Sequence, residues 1–297
     1  MSPQKFAIID IGSKTVRLSI YAGNGQMEEI RKDKVSLRLS EHIVNGSLSQ
    51  TGLQRLIDVL KEFHQTIHSY EVETIECIAT AAIRNANNQK EILTAVKEHT
   101  PFSIRLLSGK EEAQYGLLAI TQSIPKSDGI AMDLGGGSTE ITLFRNRQLV
   151  QTVSLPFGVV TLAKRFAGLS LSEATLHQLT HYVKKELTSL TWIKGCRLPL
   201  IGIGGSVRLI GKYSIAQKKL HRGLNGYSIA NSEVQDIFEE MKSMTATELS
   251  MWAKDNADLA LPALSVLSEL MNWAESEEII CCTKGIKDGL IYGKHTS

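Results

Sequence analysis

The stretch Ala131–Glu140, AMDLGGGSTE, sets an acid, three consecutive glycines, two hydroxyls and a second acid at the end of an apolar run. Adjacent glycines at a strand end are entropically costly, so the backbone there must be approached closely by something. Glycines let N–H groups point inward with no Cβ in the way, and hydroxyls add donors; together they form a nest suited to phosphate. An earlier stretch, Ile9-Asp10-Ile11-Gly12-Ser13-Lys14-Thr15, answers Met132-Asp133-Leu134-Gly135-Gly136-Gly137-Ser138-Thr139 with the same order of acid, glycine and hydroxyl. A third cluster, Ile201-Gly202-Ile203-Gly204-Gly205-Ser206, follows a strand and leads into a helix, whose N-terminus is itself an anion site. The P-loop frame GxxxxGK[ST] is absent, and β-branched residues after the first two clusters make each a strand-to-strand turn rather than a dinucleotide fingerprint. A tight hairpin or a close helix–strand contact accounts for any one cluster, whereas three, two of them paired with an aspartate, are hard to explain by packing.

The elements that position these turns are themselves repeated. KFAIIDIGSKTVRLSIYAGNGQMEEIRKDKV reads as three strands, with a tight turn at Gly12 and a second turn at Asn24-Gly25. GIAMDLGGGSTEITLFRNRQLVQTVSLP repeats the layout with Arg145-Asn146-Arg147 in place of Asn-Gly, which marks the chain as duplicated. Between the two lie a helix through Leu53, Leu56, Ile57, Leu60, Phe63 and Ile67, a strand in EVETIECIATAA, a helix from Asn87 to His99, and a short strand FSIRLL. A further helix opens at Ser108-Gly109-Lys110-Glu111-Glu112. The second half continues with helices around Val160 to Phe166 and Ser172 to Leu190, a strand LPLIGIG, a helix from Ser206 and helices to about Trp273. It closes on a strand and helix in EEIICCTKGIKDGLIYG. Alternating strands and helices predict an α/β fold with a mixed sheet in each half. The break near Ser123 to Gly129 predicts domains at 1–124 and 125–297, whose two turns face each other across a central cleft.

The 297 residues, 42% hydrophobic and 22% charged with a net charge of +2, describe an ordinary globular chain. The N-terminus shows no leader pattern and no apolar run reaches 18 residues, so the expectation is a cytoplasmic protein with no membrane partner. Cys77, Cys196, Cys281 and Cys282 sit in apolar or strand-edge sequence without metal-ligand spacing and read as buried reduced thiols. His64 and His68, lacking a third ligand, read as surface or packing residues. Between Leu187 and Ser232 there is no Asp or Glu, while Lys194, Arg197, Arg208, Lys212, Lys218, Lys219 and Arg222 all fall there. That stretch presents either solvated lysines balanced by distant acids or a surface for a polyanion. Long nucleic acid is not expected, since no recognisable binding motif accompanies the charges.

In order along the chain, IDIGSKTVRL, TAAIRNANN, LSGKEEAQYG, MDLGGGSTEITLF, IGIGGSVRLIGK, LNGYSI and TKGIKDGLIYG resemble the exopolyphosphatase and guanosine pentaphosphate phosphatase family. That family belongs to the actin-like ATPase, Hsp70 and sugar-kinase superfold, and the length matches its short two-domain form. The resemblance implies duplicated actin-like (ribonuclease H-like) domains around a cleft. It further implies Glu112 as the base activating the attacking water, with Glu111 the less favoured choice, and Arg84 as a phosphate-gripping catalytic residue. Gly135, Gly136, Gly137, Ser138 and Thr139 would cradle the phosphate being cleaved, with Gly12, Ser13 and Lys14 facing it and Gly204, Gly205 and Ser206 adding donors. Mg²⁺ would be held by Asp133 and Asp10. Each residue keeps a structural alternative: Arg84 as a partner of Glu91, Glu112 as a first-turn acid on its helix, Asp10 as a turn cap, and Glu140 facing either way.

The chain departs from the family pattern at Lys14, where asparagine is usual and a cation now stands beside the first turn, and at Asn256 and Lys287, where arginines are usual, so bidentate grip is weakened at the last two points. The leading expectation is hydrolysis of the terminal phosphate of inorganic polyphosphate, with Lys212, Lys218, Lys219 and Arg222 guiding the polyanion. Guanosine pentaphosphate is the alternative substrate, and a non-catalytic phosphate or nucleotide sensor is the alternative of another class. A homodimer is left open.

Overall fold

A computed structural model describes residues 3–24, 27–166 and 172–295. Contacts divide the chain into two compact units, Met1–Glu112 with Leu290–Ser297, and Ala113–Gly289.

The first unit is built on strands β1 (Gln4–Ile11), β2 (Thr15–Gly23) and β3 (Glu28–Ser36), followed by the two-residue pair β4 (Ile43–Val44) and β5 (Ser47–Leu48). Then come α1 (Gln50–Ser69), β6 (Thr74–Ala79), α2 (Ala81–Arg84), α3 (Gln89–His99), β7 (Ile104–Leu106) and the start of α4 (Gly109–Ser123). The sheet order is β3-β2-β1-β6-β7, with β1–β2 and β2–β3 antiparallel and β1–β6 and β6–β7 parallel. Gly25 of the expected Asn24-Gly25 turn lies outside the described residues, but Ala22 pairs with Glu28 on either side of it. Ser49 caps α1 by accepting from the Gly52 N–H at 3.2 Å, and its apolar side, Leu56, Leu60, Phe63 and Ile67, packs on Ala7, Ile9 and Ile11 of β1. Strand alternation leaves Phe6, Ile8 and Asp10 on the opposite face, where the Lys294 ammonium lies 4.3 Å from the Phe6 ring centre.

The second unit continues with β8 (Gly129–Leu134), β9 (Thr139–Arg145), β10 (Gln148–Leu155), α5 (Val159–Arg165), α6 (Glu173–Leu187), β11 (Leu200–Ile203) and α7 (Gly205–Gln217). β12 (Tyr227–Ala230), α8 (Asn231–Ser243), α9 (Ala246–Ala253), α10 (Ala257–Ala274), β13 (Glu278–Cys281) and α11 (Ile286–His295) complete it. Its sheet order, β10-β9-β8-β11-β13-β12, repeats that of the first unit and adds β12 antiparallel at one edge. The duplication is therefore one of topology, and the fold is the duplicated actin-like one. β12 was not expected from YSIA: four residues of mixed character are too short for a periodic signal. The β9–β10 turn places Asn146 and Arg147 both at positive φ, 49° and 63°, the geometry a two-residue hairpin turn demands. Asp128 Oδ1 accepts from the Asn146 N–H at 2.8 Å.

α10 is the axis of the larger core, buried on nearly every side against α5, α6, α7 and α8, as its apolar sequence requires. Ile130, Met132 and Leu134 of β8 enter that core, leaving Ala131 and Asp133 on the other face, where Leu117, Ile120 and Ile124 of α4 form a smaller core with Ala131 and Phe144. Cys77, Cys281 and Cys282 are buried and Cys196 is half-buried, all as free thiols. Burial pushes the Cys281 thiol up to about 12. Among the described residues no helix is long and apolar enough to cross a membrane.

Leu264, fully buried at the centre of α10, tests this core. Leu264→Ala is expected to lower stability in chemical denaturation by about 2–5 kcal/mol. Met251→Ala, at a side chain 76% exposed, is expected to stay within about 0.5 kcal/mol of the parent.

Candidate active site

The two glycine turns are the same structure built twice. β1–β2 pairing ends at Ile11↔Val16 and β8–β9 pairing at Leu134↔Thr139, so residues 12–15 and 135–138 are the equivalent loops. The Gly12 N–H donates to Thr15 O at 3.0 Å, and the Gly135 N–H to Ser138 O at 3.1 Å. Read this way there is no insertion in the second turn, and Lys14 takes the place of Gly137. A Cβ on Gly12 would lie 3.2 Å from Thr15 O and one on Gly135 would lie 3.0 Å from Ser138 O, which is why glycine opens both.

Each turn is backed by the segment that follows its unit's third strand. In the second unit the Val159 N–H donates to Gly135 O at 2.9 Å, while the Val160 and Thr161 N–H groups reach Gly136 O at 3.0 and 3.1 Å. A trans peptide holds its C=O and N–H on opposite sides, so capturing these two carbonyls turns the N–H groups of Gly136 and Gly137 away from α5. In the first unit Ser40 N–H plays this part for Ser13 O at 3.1 Å and Arg38 N–H for Lys14 O at 2.8 Å. The residue that allows the close approach is Gly158, which the sequence did not mark: a Cβ there would sit 2.4 Å from Gly135 O and 2.5 Å from Gly137 N. Its own backbone is extended, φ −141° and ψ 178°, so only space demands glycine. Thr139 is fully buried and its hydroxyl donates to Phe157 O at 2.7 Å. That hydroxyl is thus committed to the backbone leading into α5, not to a ligand. Ser13 and Ser138 are buried residues, and their hydroxyls make no hydrogen bond among the described residues.

Beside the turns the two units differ in charge. Asp10 stands directly opposite Arg17 on β2, and Arg17 Nη1 donates to Asp10 Oδ2 at 3.1 Å, taking one oxygen of a residue expected to hold metal. Asp133 stands opposite Glu140, which shares its face of the sheet. Glu140 is buried and accepts from Ser154 Oγ at 2.7 Å. Where the first unit supplies its own cation, the second places a second carboxylate. Gly204, at φ 98°, lets Asp133 sit close: a Cβ there would be 3.0 Å from Asp133 Oδ1. Two carboxylates beside a glycine-lined backbone fit Mg²⁺, which takes one or two carboxylates and fills its shell with water and phosphate oxygens. Among the described residues no group of three or more His, Cys, Asp and Glu converges as a complete protein cage. Gly205 and Ser206 open α7 immediately after Gly204. His64 stacks edge-on against His68 and Phe102.

In the first unit the expected base and the expected phosphate-gripping arginine touch. The guanidinium of Arg84, at the end of α2, donates to Glu112 on α4 and, at 2.7 Å, to Leu107 O. Glu112, not Glu91, is thus the carboxylate partner of Arg84, and its side chain is only 4% exposed. The neighbouring Glu111 caps the same helix: its carboxylate accepts from the Ser108 N–H and Oγ, each at 2.8 Å, and the Glu111 N–H donates back to Ser108 Oγ at 3.2 Å. Arg105 joins Glu111 at 2.9 Å to Glu76 at 2.8 Å, and Lys294 of α11 reaches Glu76 at 2.7 Å. Burial raises the Glu76 carboxyl, but Lys294 and Arg105 outweigh it and hold it below the ordinary range. This chain of charges fixes the start of α4, and with it Glu112.

Gly158→Ala is expected to destabilise the protein by about 1–3 kcal/mol, as overpacking does, in a denaturant titration; an unchanged midpoint would mean the turn is not held by this contact. The Ser108 backbone and hydroxyl bonds hold the Glu111 carboxyl below its ordinary value. A depressed carboxylate stabilises above its unfolded pKa of about 4.3 and loses that contribution as pH falls through the folded value. The stability difference between the parent and Glu111→Gln should be constant at neutral pH and shrink below about pH 4.3. A difference that grows on acidification would contradict the cap.

Comparison with known proteins gives the same fold. A structure of an exopolyphosphatase from Cytophaga hutchinsonii superposes with a TM-score of 0.91 at 21% identity, covering 99% of this chain and 98% of that one. A Ppx/GppA family member from Aquifex aeolicus superposes with a TM-score of 0.81 at 24% identity over 98% and 97% of the two chains. A bifunctional 3-dehydroquinate synthase/phosphatase from Fusobacterium nucleatum is 26% identical over 294 residues, 92% of this chain; the chain spans 44% of that relative's length. The family model described as the Ppx/GppA phosphatase family matches residues 19–297, and the chain belongs to that family.

Proposed function

We propose that this phosphatase-family protein hydrolyses the terminal phosphoanhydride of inorganic polyphosphate in the presence of Mg²⁺. The observation that carries this reading is the second turn, with two amides turned outward beside a pair of carboxylates on one sheet face. That combination accepts an anion and a hard cation together, which is what a metal-bound phosphate chain presents.

The chain's own residues divide the work. The amides of Gly136 and Gly137 and the hydroxyl of Ser138 bind the terminal phosphate and stabilise its spreading charge, which is where phosphoryl transfer draws most of its catalysis. Asp133 and Glu140 would hold Mg²⁺, with Asp10, one oxygen of which is taken by Arg17, in the lesser share, and Mg²⁺ held there would supply neutralisation of charge on the phosphate oxygens. Glu112 accepts a proton from water as the water oxygen bonds to the terminal phosphorus. The bridging P–O bond breaks, its electron pair leaving with the shortened chain, and orthophosphate is released. Arg84 orients Glu112 and, with five N–H donors, retains capacity to grip phosphate.

Phosphate release from polyphosphate and from guanosine pentaphosphate, with Mg²⁺, tests the reading. Glu112→Gln should lower kcat on polyphosphate by about 10²–10⁴-fold, the range general-base removal produces. Full activity in Glu112→Gln would remove Glu112 as the base. Release from guanosine pentaphosphate alone would move the substrate to the alarmone, and binding without release from either would make the protein a sensor.

A further inference from the structure

The first glycine turn is backed by less structure than the second. In the second unit the seven-residue helix α5 begins where it takes the carbonyls of Gly135 and Gly136. In the first unit Arg38 and Ser40, which do that work for Lys14 O and Ser13 O, stand at the start of a 3₁₀ turn of four residues, Leu39–His42. The β4–β5 hairpin follows, two residues a side, closed by Asn45 and Gly46 at φ 49° and 79°. An isolated two-stranded hairpin is marginal in water, so something outside must hold it.

That support comes from Asn87 and Asn88, in the loop between α2 and α3. The Ser49 N–H donates to His42 O at 2.9 Å across the hairpin, so Leu48, one residue earlier, directs its own N–H and C=O away from β4. The Asn88 side chain meets both: the Leu48 N–H donates to Asn88 Oδ1 at 2.9 Å, and Asn88 Nδ2 donates to Leu48 O at 3.0 Å. One carboxamide thus serves as a one-residue strand on the open edge of β5, since it carries a donor and an acceptor as a peptide group does. Asn87 grips the tip, its N–H donating to Gly46 O at 2.7 Å and its Nδ2 to Asn45 O at 3.1 Å. A Cβ on Gly46 would lie 2.4 Å from that Nδ2.

The same loop follows directly from α2, which carries Arg84. The Thr80 N–H donates to Ile11 O at 3.2 Å, immediately before Gly12, and Gln89 Nε2 donates to Arg84 O at 2.6 Å. The contacts therefore close a ring: from Ile11 through Thr80 and α2 to Arg84, through Asn88 to the hairpin, and through Ser40 back to Ser13.

We propose that Asn88, with Asn87, is a positioning residue: through the β4–β5 hairpin its side-chain amide fixes the first glycine turn and Arg84 in one arrangement. Its oxygen and nitrogen both serve Leu48, so it acts through Ser13, Lys14 and Arg84 and not on phosphate. Its part in turnover rests on the reading of Arg84 and Glu112 as hydrolytic groups.

Asn88→Asp keeps the shape but sets a second acceptor against Leu48 O, and Gly46→Ala opens the clamp from the hairpin side by driving a methyl into Asn87 Nδ2. Ile67→Val, a buried change at the far end of α1, is the control for lost stability alone. Backbone amide and arginine Nε resonances are recorded without ligand for the parent and each variant, and kcat and KM are measured on polyphosphate with Mg²⁺. In both clamp variants the Ser13, Lys14 and Arg84 resonances should move together, while those of Gly136 and Gly137 stay. In the same two variants kcat should fall about ten- to a hundredfold with KM little changed, and Ile67→Val should leave both constants as in the parent. Shifts confined to residues 43–48 and 87–89 overturn the proposal, and so does a loss of kcat that Ile67→Val matches. If the parent releases no phosphate, the hydrolytic reading fails, and the coupled shifts still decide the clamp.

Discussion

The second glycine turn is held in shape by three amide-to-carbonyl bonds from the start of α5, and much of what the site can do follows from them. Val159, Val160 and Thr161 take the carbonyls of Gly135 and Gly136, and peptide planarity then sends the amides of Gly136 and Gly137 the other way. No side chain is needed to create that donor pair. It depends on Gly158, because any Cβ there would occupy the space where the turn's own backbone lies. Thr139, by donating to Phe157 O, ties the end of the turn to the same segment. The outward-facing amide pair is thus a packing consequence: a helix start pressed against a loop that has no side chains to keep it off.

Duplication explains why the device occurs twice, and divergence explains why the copies are not equivalent. The row across β1 and β2 reads Asp10 and Arg17, an internally neutral pair, and that across β8 and β9 reads Asp133 and Glu140. An ion pair needs no further partner. Two carboxylates on one face of a sheet repel unless a cation or a donor intervenes, and Ser154 supplies a hydroxyl to Glu140. The charge asymmetry therefore distinguishes the two turns more strongly than the near-identical motifs DIGS and DLGG do. In the first unit the corresponding specialisation is the charge relay from Lys294 through Glu76 and Arg105 to Glu111, which fixes the helix that carries Glu112.

The order of elements and the duplication were legible in the sequence because both rest on local signals: β-branched runs, glycine-acid turns and helical spacing. Asp133 and the glycines stood out for the same reason. Gly158 did not, since its backbone is ordinary and its necessity comes from a loop more than twenty residues earlier. The pairing of Arg84 with Glu112 spans 28 residues and is likewise a product of the fold. The Glu111 cap was readable, as Ser108-x-x-Glu111 is the capping-box pattern, yet the acid beside it drew the functional interpretation. The basic stretch was visible as charge, but only the position of Glu233 on α8 separates Lys218 from Lys212 and Lys219.

The most direct measurement is amide NMR of the turn during titration with tripolyphosphate. The Gly136 and Gly137 amide resonances should move on saturation, while that of Gly135, already bonded to Ser138 O, should move far less. Gly158→Ala should abolish the shifts at Gly136 and Gly137. Shifts centred on Gly135, or shifts at Gly136 and Gly137 that survive Gly158→Ala, would contradict a nest oriented by α5.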